Sequence, residues 1–295
     1  MPVRIGVNPI GWTNDDLETL GDDTPLETCL AEARQAGYAG IELGRKFPRR
    51  AAELRVVLRE HGLDLVSGWY GSHLLRRGAK EEIAAMQEHA ELLTALGCTT
   101  VVFAEETGCV HGRLGVPLSR RPRLAEGDWP QLGAALSEVA QHLAARGLRL
   151  AYHHHMGTVV ETEAEIDRLM EVTEPAVGLL LDTGHLTYAG GRVLDVARRH
   201  AGRIAHVHCK DVRPPVLAEA RRRDQSFLDA VVGGVFTVPG DGCIDYRRLL
   251  EVLREARYAG WLVVEAEQDP AKAHPLTYAR MGFAHLSRIL ADLRM

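Results

Sequence analysis

The chain has 295 residues, with 35 Lys+Arg against 40 Asp+Glu for a formal net charge of −5, 46% hydrophobic and 25% charged residues. That balance excludes a disordered or fibrous chain, and its mild acidity argues against nucleic acid or a membrane surface as partner. No apolar run approaches the roughly 18 residues that span a bilayer, and the opening MPVRIGVNPIGW lacks a signal-type apolar region, so a cytoplasmic location is expected.

Taken in chain order, short β-branched or apolar runs begin near Arg4 (RIGVN), Gly40 (GIELG), Leu63 (LDLVSGW), Thr100 (TVVFAE), Leu148 (LRLAYHH), Val177 (VGLLLD), Arg203 (RIAHVH) and Trp261 (WLVVEAE). Helix-like sequence separates each from the next. Thr24-Pro25-Leu26-Glu27 reads as a capping box, Asp245 as the start of a helix over RRLLEVLREA, and Gly37, Gly62, Gly97, Gly147 and Gly260 as left-handed helix ends before strands. Near-continuous apolar strands alternating with helices imply a parallel sheet covered by helices, and eight such units without a linker imply one closed (β/α)8 TIM barrel over residues 1–295. Two longer connections, about 105–127 and 212–241, follow strands four and seven, which places them on the catalytic face of such a barrel. The Arg221-Arg222-Arg223 run within the second reads equally as solvated surface. The cysteines (Cys29, Cys98, Cys109, Cys209, Cys243) form no CxxC pair and are expected as free thiols.

Barrel interiors are apolar, so polar residues at strand ends carry the functional signal. Here the ends hold Asn8, Glu42, Trp69, Glu105, Glu106, His153 to His155, Asp182, His206, His208, Lys210, Glu265 and Glu267. Alternation puts His153 and His155 on one face with His154 opposite, groups His206, His208 and Lys210, and groups Glu265 with Glu267. His208, Asp182 and Glu265 with one histidine of strand five make a donor set of two imidazoles and two carboxylates. Such a set suits Mn²⁺, Co²⁺ or Fe²⁺ and leaves room for a chelating oxygen substrate. Blander readings stand beside these. His154 packs or supports a ligand, His206 hydrogen-bonds inside the barrel, Lys210-Asp211 is a surface ion pair, and Asp182-Thr183-Gly184-His185 is an Asx turn. The glycines of Gly233-Gly234 and Gly240-Asp241-Gly242 read as turns. No P-loop, GxGxxG or GxSxG pattern appears.

Several stretches carry a family likeness: Asn8-Pro9-Ile10-Gly11-Trp12-Thr13-Asn14-Asp15-Asp16, Tyr152 to Thr158 around the triple histidine, and Asp182-Thr183-Gly184-His185-Leu186. To these are added His206 to Arg213, Phe236 to Gly242, and Val264-Glu265-Ala266-Glu267-Gln268-Asp269-Pro270. On these the chain resembles the xylose-isomerase-like barrel superfamily of sugar isomerases and epimerases, and within it the inosose dehydratases. The resemblance implies metal ligation by Asp182, His208 and Glu265. A histidine, His153 or alternatively His155, stands where the superfamily usually has a glutamate. It further implies loss of water from a cyclic polyol ketone, scyllo-inosose, through an enediolate, with catalytic candidates Glu267, His185 and Lys210. Asn8, Trp12, Glu42, Trp69, His155 and Arg213 fall to substrate binding. Mn²⁺ or Co²⁺ is the implied metal, glutathione is associated with the activity, and self-association follows by analogy with other barrels. The competing expectations are a ketose epimerase on the same barrel, an endonuclease for damaged DNA, which the net charge disfavours, and a non-catalytic sugar-binding barrel.

Overall fold

The computed structural model describes residues 3–295, so the first two residues of the expected 1–295 unit lie outside it. Ten strands follow in chain order: β1 (Arg4–Val7), β2 (Gly40–Leu43), β3 (Asp64–Ser72), β4 (Thr100–Glu105), β5 (Arg149–His153), β6 (Val177–Asp182), β7 (Ile204–Cys209), β8 (Asp211–Val212), β9 (Phe236–Thr237) and β10 (Trp261–Val264). β1 to β7 and β10 close into a parallel barrel, each neighbour in sequence pairing with the next and β10 returning to β1. All eight expected strands are therefore present, and the barrel expectation holds. β8 and β9 form a separate antiparallel ribbon.

Alternation divides the strands into two packing faces. Val101, Phe103, Leu150, Tyr152, Leu179 and Leu181 belong to the large cluster shared with the helices. The residues between them, Val102, Ala151 and Leu180, make a small cluster of their own inside the barrel. Continuing the same face toward the strand ends replaces apolar side chains by His153, Asp182, His206 and His208, all buried.

Local punctuation departs from expectation at two points. Thr24 does not cap: the helix Leu26–Ala36 begins after Pro25 with no side-chain cap. The box forms instead at Thr162, where Thr162 and Glu165 bond reciprocally. Gly37, Gly62, Gly97, Gly147 and Gly260 all adopt positive φ, but after the helix Tyr246–Glu255 the residue nearer the helix end with positive φ is Arg257 (φ 56). Asp245 caps as expected, accepting from the Arg248 amide.

The two long connections fold against each other. The 212–241 segment carries the helices Pro214–Arg222 and Phe227–Val232 and the ribbon. Its Phe227, Leu228, Val231 and Phe236 share a second apolar cluster with Val110 and Leu118 of the other segment. Ser119 donates to Asp224, and the Gly115 amide donates to Ser226. Arg221 is not merely solvated surface, since it donates to the Tyr188 carbonyl, while Arg222 and Arg223 pair with Glu219 in solvent.

Leu180 is fully buried within a closed ring that cannot collapse around a void. Leu180→Ala is expected to cost about 2–5 kcal/mol, read as a lower urea midpoint at unchanged m-value.

Candidate metal and substrate site

Strand register sets the level of the polar residues. β6 and β7 pair Asp182 directly with His208, while β5 and β6 pair His153 with Leu180. Donor atoms of His153, Asp182, His208 and Glu265 all lie within 4.8 Å of one another, from four strands or strand ends. His155 belongs to a different group, with His185 and Glu267. Of the two strand-five histidines, His153 is thus the one gathered with the expected ligands.

Each of the four is aimed by its other atoms. Asp182 caps the helix Thr183–Tyr188 with Oδ1, accepting from the His185 amide at 2.8 Å, which turns Oδ2 inward. The Asx-turn reading and the ligand reading therefore describe the two oxygens of one side chain. His153 Nδ1 bonds to the His154 carbonyl at 2.7 Å, leaving Nε2 for the cluster. His208 Nε2 bonds to Glu42 Oε1 at 3.2 Å, leaving Nδ1. A carboxylate behind an imidazole in this way fixes the ring and its tautomer. Glu42 is itself held by Asn8 Nδ2 (2.8 Å), Ser67 Oγ (2.5 Å) and His206 Nε2 (2.9 Å). Although burial opposes it, the His208 and His206 imidazoles keep Glu42 well below the usual carboxylate range.

A divalent ion fits what remains. Asp182 Oδ2, His208 Nδ1 and Glu265 Oε2 are buried without hydrogen-bond partners, an arrangement that needs an explanation in a native interior. Their separations are 3.6 Å (His208 Nδ1 to Asp182 Oδ2) and 2.9 Å (His208 Nδ1 to Glu265 Oε2), with His153 Nε2 at 3.7 Å from Asp182 Oδ2. Coordination edges built on bonds of roughly 2.1 Å measure about 3.0 to 3.4 Å, so small adjustments would seat one ion. The charge balance asks for a cation as well: against the effect of burial, Glu265 and Glu42 raise His208 well above the usual imidazole range.

A second cation position beside this one is filled by Lys210. Its ammonium is fully buried, 3.0 Å from Glu265 Oε2, 2.8 Å from His185 Nε2, 3.7 Å from Asp182 Oδ2, and bonded to Glu267 Oε1. The surface-ion-pair reading of Lys210-Asp211 is overturned. Asp211 is buried too, and accepts the amides of Val212, Gly240 and Ile244. Gly184 makes the approach possible, since a Cβ there would lie 2.5 Å from Lys210 Cγ. Burial opposes the charge, yet Glu265, Glu267 and Asp182 raise the ammonium above its ordinary range. Three carboxyls around one ammonium leave excess negative charge, and burial pushes Glu267 up to about 8. Its Oε2 has no partner.

A cavity opens against this group, lined by Asn8, Ile10, Asp15, Asp16, Leu43, Trp69, His153, His155, Glu265 and Glu267. Trp69, 36% exposed, stands at T-shaped angles to His153 and His155 and donates Nε1 to Glu106 at 2.8 Å. Three expected substrate contacts, Asn8, Trp69 and His155, and the acid–base candidate Glu267 thus line one cavity. Others lie elsewhere. Glu42 sits behind His208 with both oxygens engaged. Trp12 donates to Glu32 and borders a separate small cavity. Arg213 spends its donors on the Gly234 and Phe236 carbonyls, Thr237 and Asp241. His185 and Lys210 are fully buried behind Glu267. Glu105 ties Ser72, Leu74 and Thr107 together. Asp15 and Asp16 were not singled out by strand alternation, since they sit on a loop; their signal was the NPIGWTNDD stretch.

A match to the xylose isomerase-like TIM barrel family extends over residues 30–289. The chain belongs to that family. It is 53% identical over 291 residues to the rhizopine catabolism protein MocC of Rhizobium meliloti, covering 99% of this chain and 90% of that one. It is 44% identical over 279 residues to the inosose dehydratase of Geobacillus thermodenitrificans, 94% of each chain. The resemblance read from the motifs to the inosose dehydratases is borne out by that similarity. Among solved structures an L-ribulose 3-epimerase superposes with a TM-score of 0.68 at 19% identity over 100% of this chain and 96% of that one, which shows the shared fold. No helix among the described residues is long and apolar enough to cross a membrane, and all five cysteines are free.

Two outcomes follow from the site's electrostatics. Asp182→Asn keeps the helix cap but removes the ligand charge. It should abolish stoichiometric metal in elemental analysis and the stabilisation by Mn²⁺ seen as a higher melting temperature, about 2.7 kcal/mol in the wild type at 100 times Kd. His154 is fully buried, accepts the Asp182 amide at 3.2 Å, and burial drives its imidazole down to about 3. A folded value below the unfolded one of about 6.5 means its contribution is present above pH 6.5. It is lost as pH falls toward the folded value, at about 1.4 kcal/mol per pH unit. His154→Gln should flatten the acid limb of the urea-midpoint profile by that slope.

Proposed function

We propose that the protein is a metal-dependent hydro-lyase that converts scyllo-inosose (2-keto-myo-inositol) to 3D-3,5/4-trihydroxycyclohexane-1,2-dione in myo-inositol catabolism. Residues 1–295 would then act as one barrel unit whose two insertions wall the mouth. The observation carrying the reading is that one cavity is lined by His153 and Glu265 of the imidazole–carboxylate cluster together with Glu267, whose Oε2 has no hydrogen-bond partner. The inosose dehydratase relatives, 44% identical in the case quoted, supply the substrate class.

His153, Asp182, His208 and Glu265 would hold the ion, Mn²⁺ or Co²⁺ by the chemistry of the donors. When bound, such an ion supplies Lewis-acid polarisation of a ketone oxygen. Dehydration breaks a C–H bond α to the ketone and a C–O bond at the β carbon, and the departing hydroxyl leaves with one proton as water. Glu267 Oε2 is placed for proton transfer at the cavity face, while Lys210 holds Oε1 and His185 packs behind them. With its carboxyl raised to about 8, the ionised form of Glu267 is basic enough to take the α proton, and the carboxyl so formed returns that proton to the departing β-hydroxyl, which leaves as water. Trp69 and His155 supply an aromatic rim that excludes water from a ring bound against the cluster.

The 53% identity to a rhizopine catabolism protein favours a second reading in which the ketone arises from rhizopine breakdown and the same residues perform the elimination.

The deciding assay follows scyllo-inosose in D₂O by NMR with metal-loaded protein, beside His208→Ala and Glu267→Gln. Formation of the dione is expected in the wild type. His208→Ala should lose activity with its metal, and Glu267→Gln should keep metal but slow turnover about 10²- to 10⁴-fold. Deuterium incorporation without water loss would replace this reading by an epimerase.

A further inference from the structure

Two side chains brought together by loops, Asp16 of the cavity lining and His111 beside it, pair with each other. Asp16 lines the same cavity as His153, Glu265 and Glu267. Its carboxylate oxygens take part in no hydrogen bond among the described residues, and its nearest charge partner is His111 Nε2, 3.7 Å from Oδ1. His111 is 6% exposed, and its Nδ1 is buried with no partner. Its ring stands 4.9 Å from that of His155 and 6.5 Å from that of Trp69, both cavity residues.

This placement is held from several sides. The Asn14 side chain accepts the Asp16 and Leu17 amides at 2.8 and 2.6 Å, making a tight turn. Arg45 brackets the turn by donating to the Asn14 and Glu18 carbonyls at 3.1 and 2.9 Å. Leu17 packs on the apolar cluster of the two insertions. On the other side, Glu106 folds back to Trp69 through space that a Cβ on Gly71 would fill, 2.3 Å from its carboxylate. Asp16 therefore faces the cavity from a braced turn, which is how a binding group is preorganised.

We infer that Asp16 and His111 form a hydroxyl-recognising pair at the cavity that His153 and Glu265 also line, taking a ring hydroxyl of a cyclic polyol other than the groups at the reacting carbonyl. A hydroxyl is both donor and acceptor. It donates to the Asp16 carboxylate and accepts from the His111 ring, while the reacting end of the ring lies against His153 and Glu265. The pair thus favours a ligand that carries a hydroxyl beyond its reacting end. The distal hydroxyl does not react, so the contact is equal in ground and transition states, and its loss raises KM at nearly constant kcat. The inference rests on the polyol-ketone reading above for its substrate class.

The test uses metal-loaded full chain, wild type and the variants Asp16→Asn, His111→Gln and the double variant, with metal content and melting temperature measured for each. Kinetics use scyllo-inosose, and calorimetric binding uses myo-inositol, which has the ring hydroxyls without the carbonyl. Expected are a KM for scyllo-inosose and a Kd for myo-inositol each raised about 10- to 100-fold in the single variants. The double variant should be no worse than the weaker single, with kcat, metal content and melting temperature unchanged. Values within twofold of wild type overturn the inference. So does a loss that follows metal content or melting temperature, which marks a structural role. Failure of the function is separately visible. A wild type inert toward scyllo-inosose that still binds myo-inositol through Asp16 refutes the dehydratase and keeps the pair, and one that binds neither polyol refutes both.

Discussion

A buried ammonium among three carboxyls is the constraint around which the upper half of the barrel is arranged. Removing Lys210 from water is costly, and only Glu265, Glu267 and Asp182 at close range compensate it. Those carboxyls in turn exceed the charge of one ammonium. Burial raises Glu267 to about 8, Glu265 and Glu42 raise His208, and Asp182 Oδ2, His208 Nδ1 and Glu265 Oε2 make no hydrogen bond. A cluster so poised draws a second positive charge, and a divalent ion meets that need better than a proton because it bonds several donors at once.

The barrel tolerates this concentration of charge because it is stratified. Val102, Ala151 and Leu180 fill the inner layer with close-packed apolar atoms. The next inward positions along the same strands are ionisable. Closed strand pairing satisfies the backbone at both levels, so the polar layer needs partners only for its side chains. Glu42 shows how fully that is done: Asn8, Ser67, His206 and His208 converge on two oxygens.

Around this rigid centre the loops contribute shape. The two insertions bury Phe227, Phe236 and Leu118 in a core of their own, so the mouth is walled by packed structure. The first loop is pinned from beneath by Arg45 and Lys46, the latter donating to the Asp22 and Thr24 carbonyls. The charged cluster is thus set by strands and strand ends and the mouth around it by loops, which permits the mouth to vary without disturbing the cluster.

Strand positions and the identity of the clustered residues were legible in the sequence, because period-two alternation fixes which side chains share a face and an ionisable residue on an interior face is conspicuous. The sequence by itself therefore determined the eight-stranded barrel, the gathering of Asp182, His208 and Glu265 at its mouth, and the family likeness. Tertiary structure alone decided the rest. His153 rather than His155 gathers with Asp182, His208 and Glu265 because β5 ends at His153 and His155 lies beyond it. Lys210 turns inward because Gly184 leaves space for its stem. Arg213 and Trp12 turn away because nearer acceptors claim their donors. Asp16 and His111 meet through loops, whose course depends on contacts between segments remote in sequence that no local periodicity encodes.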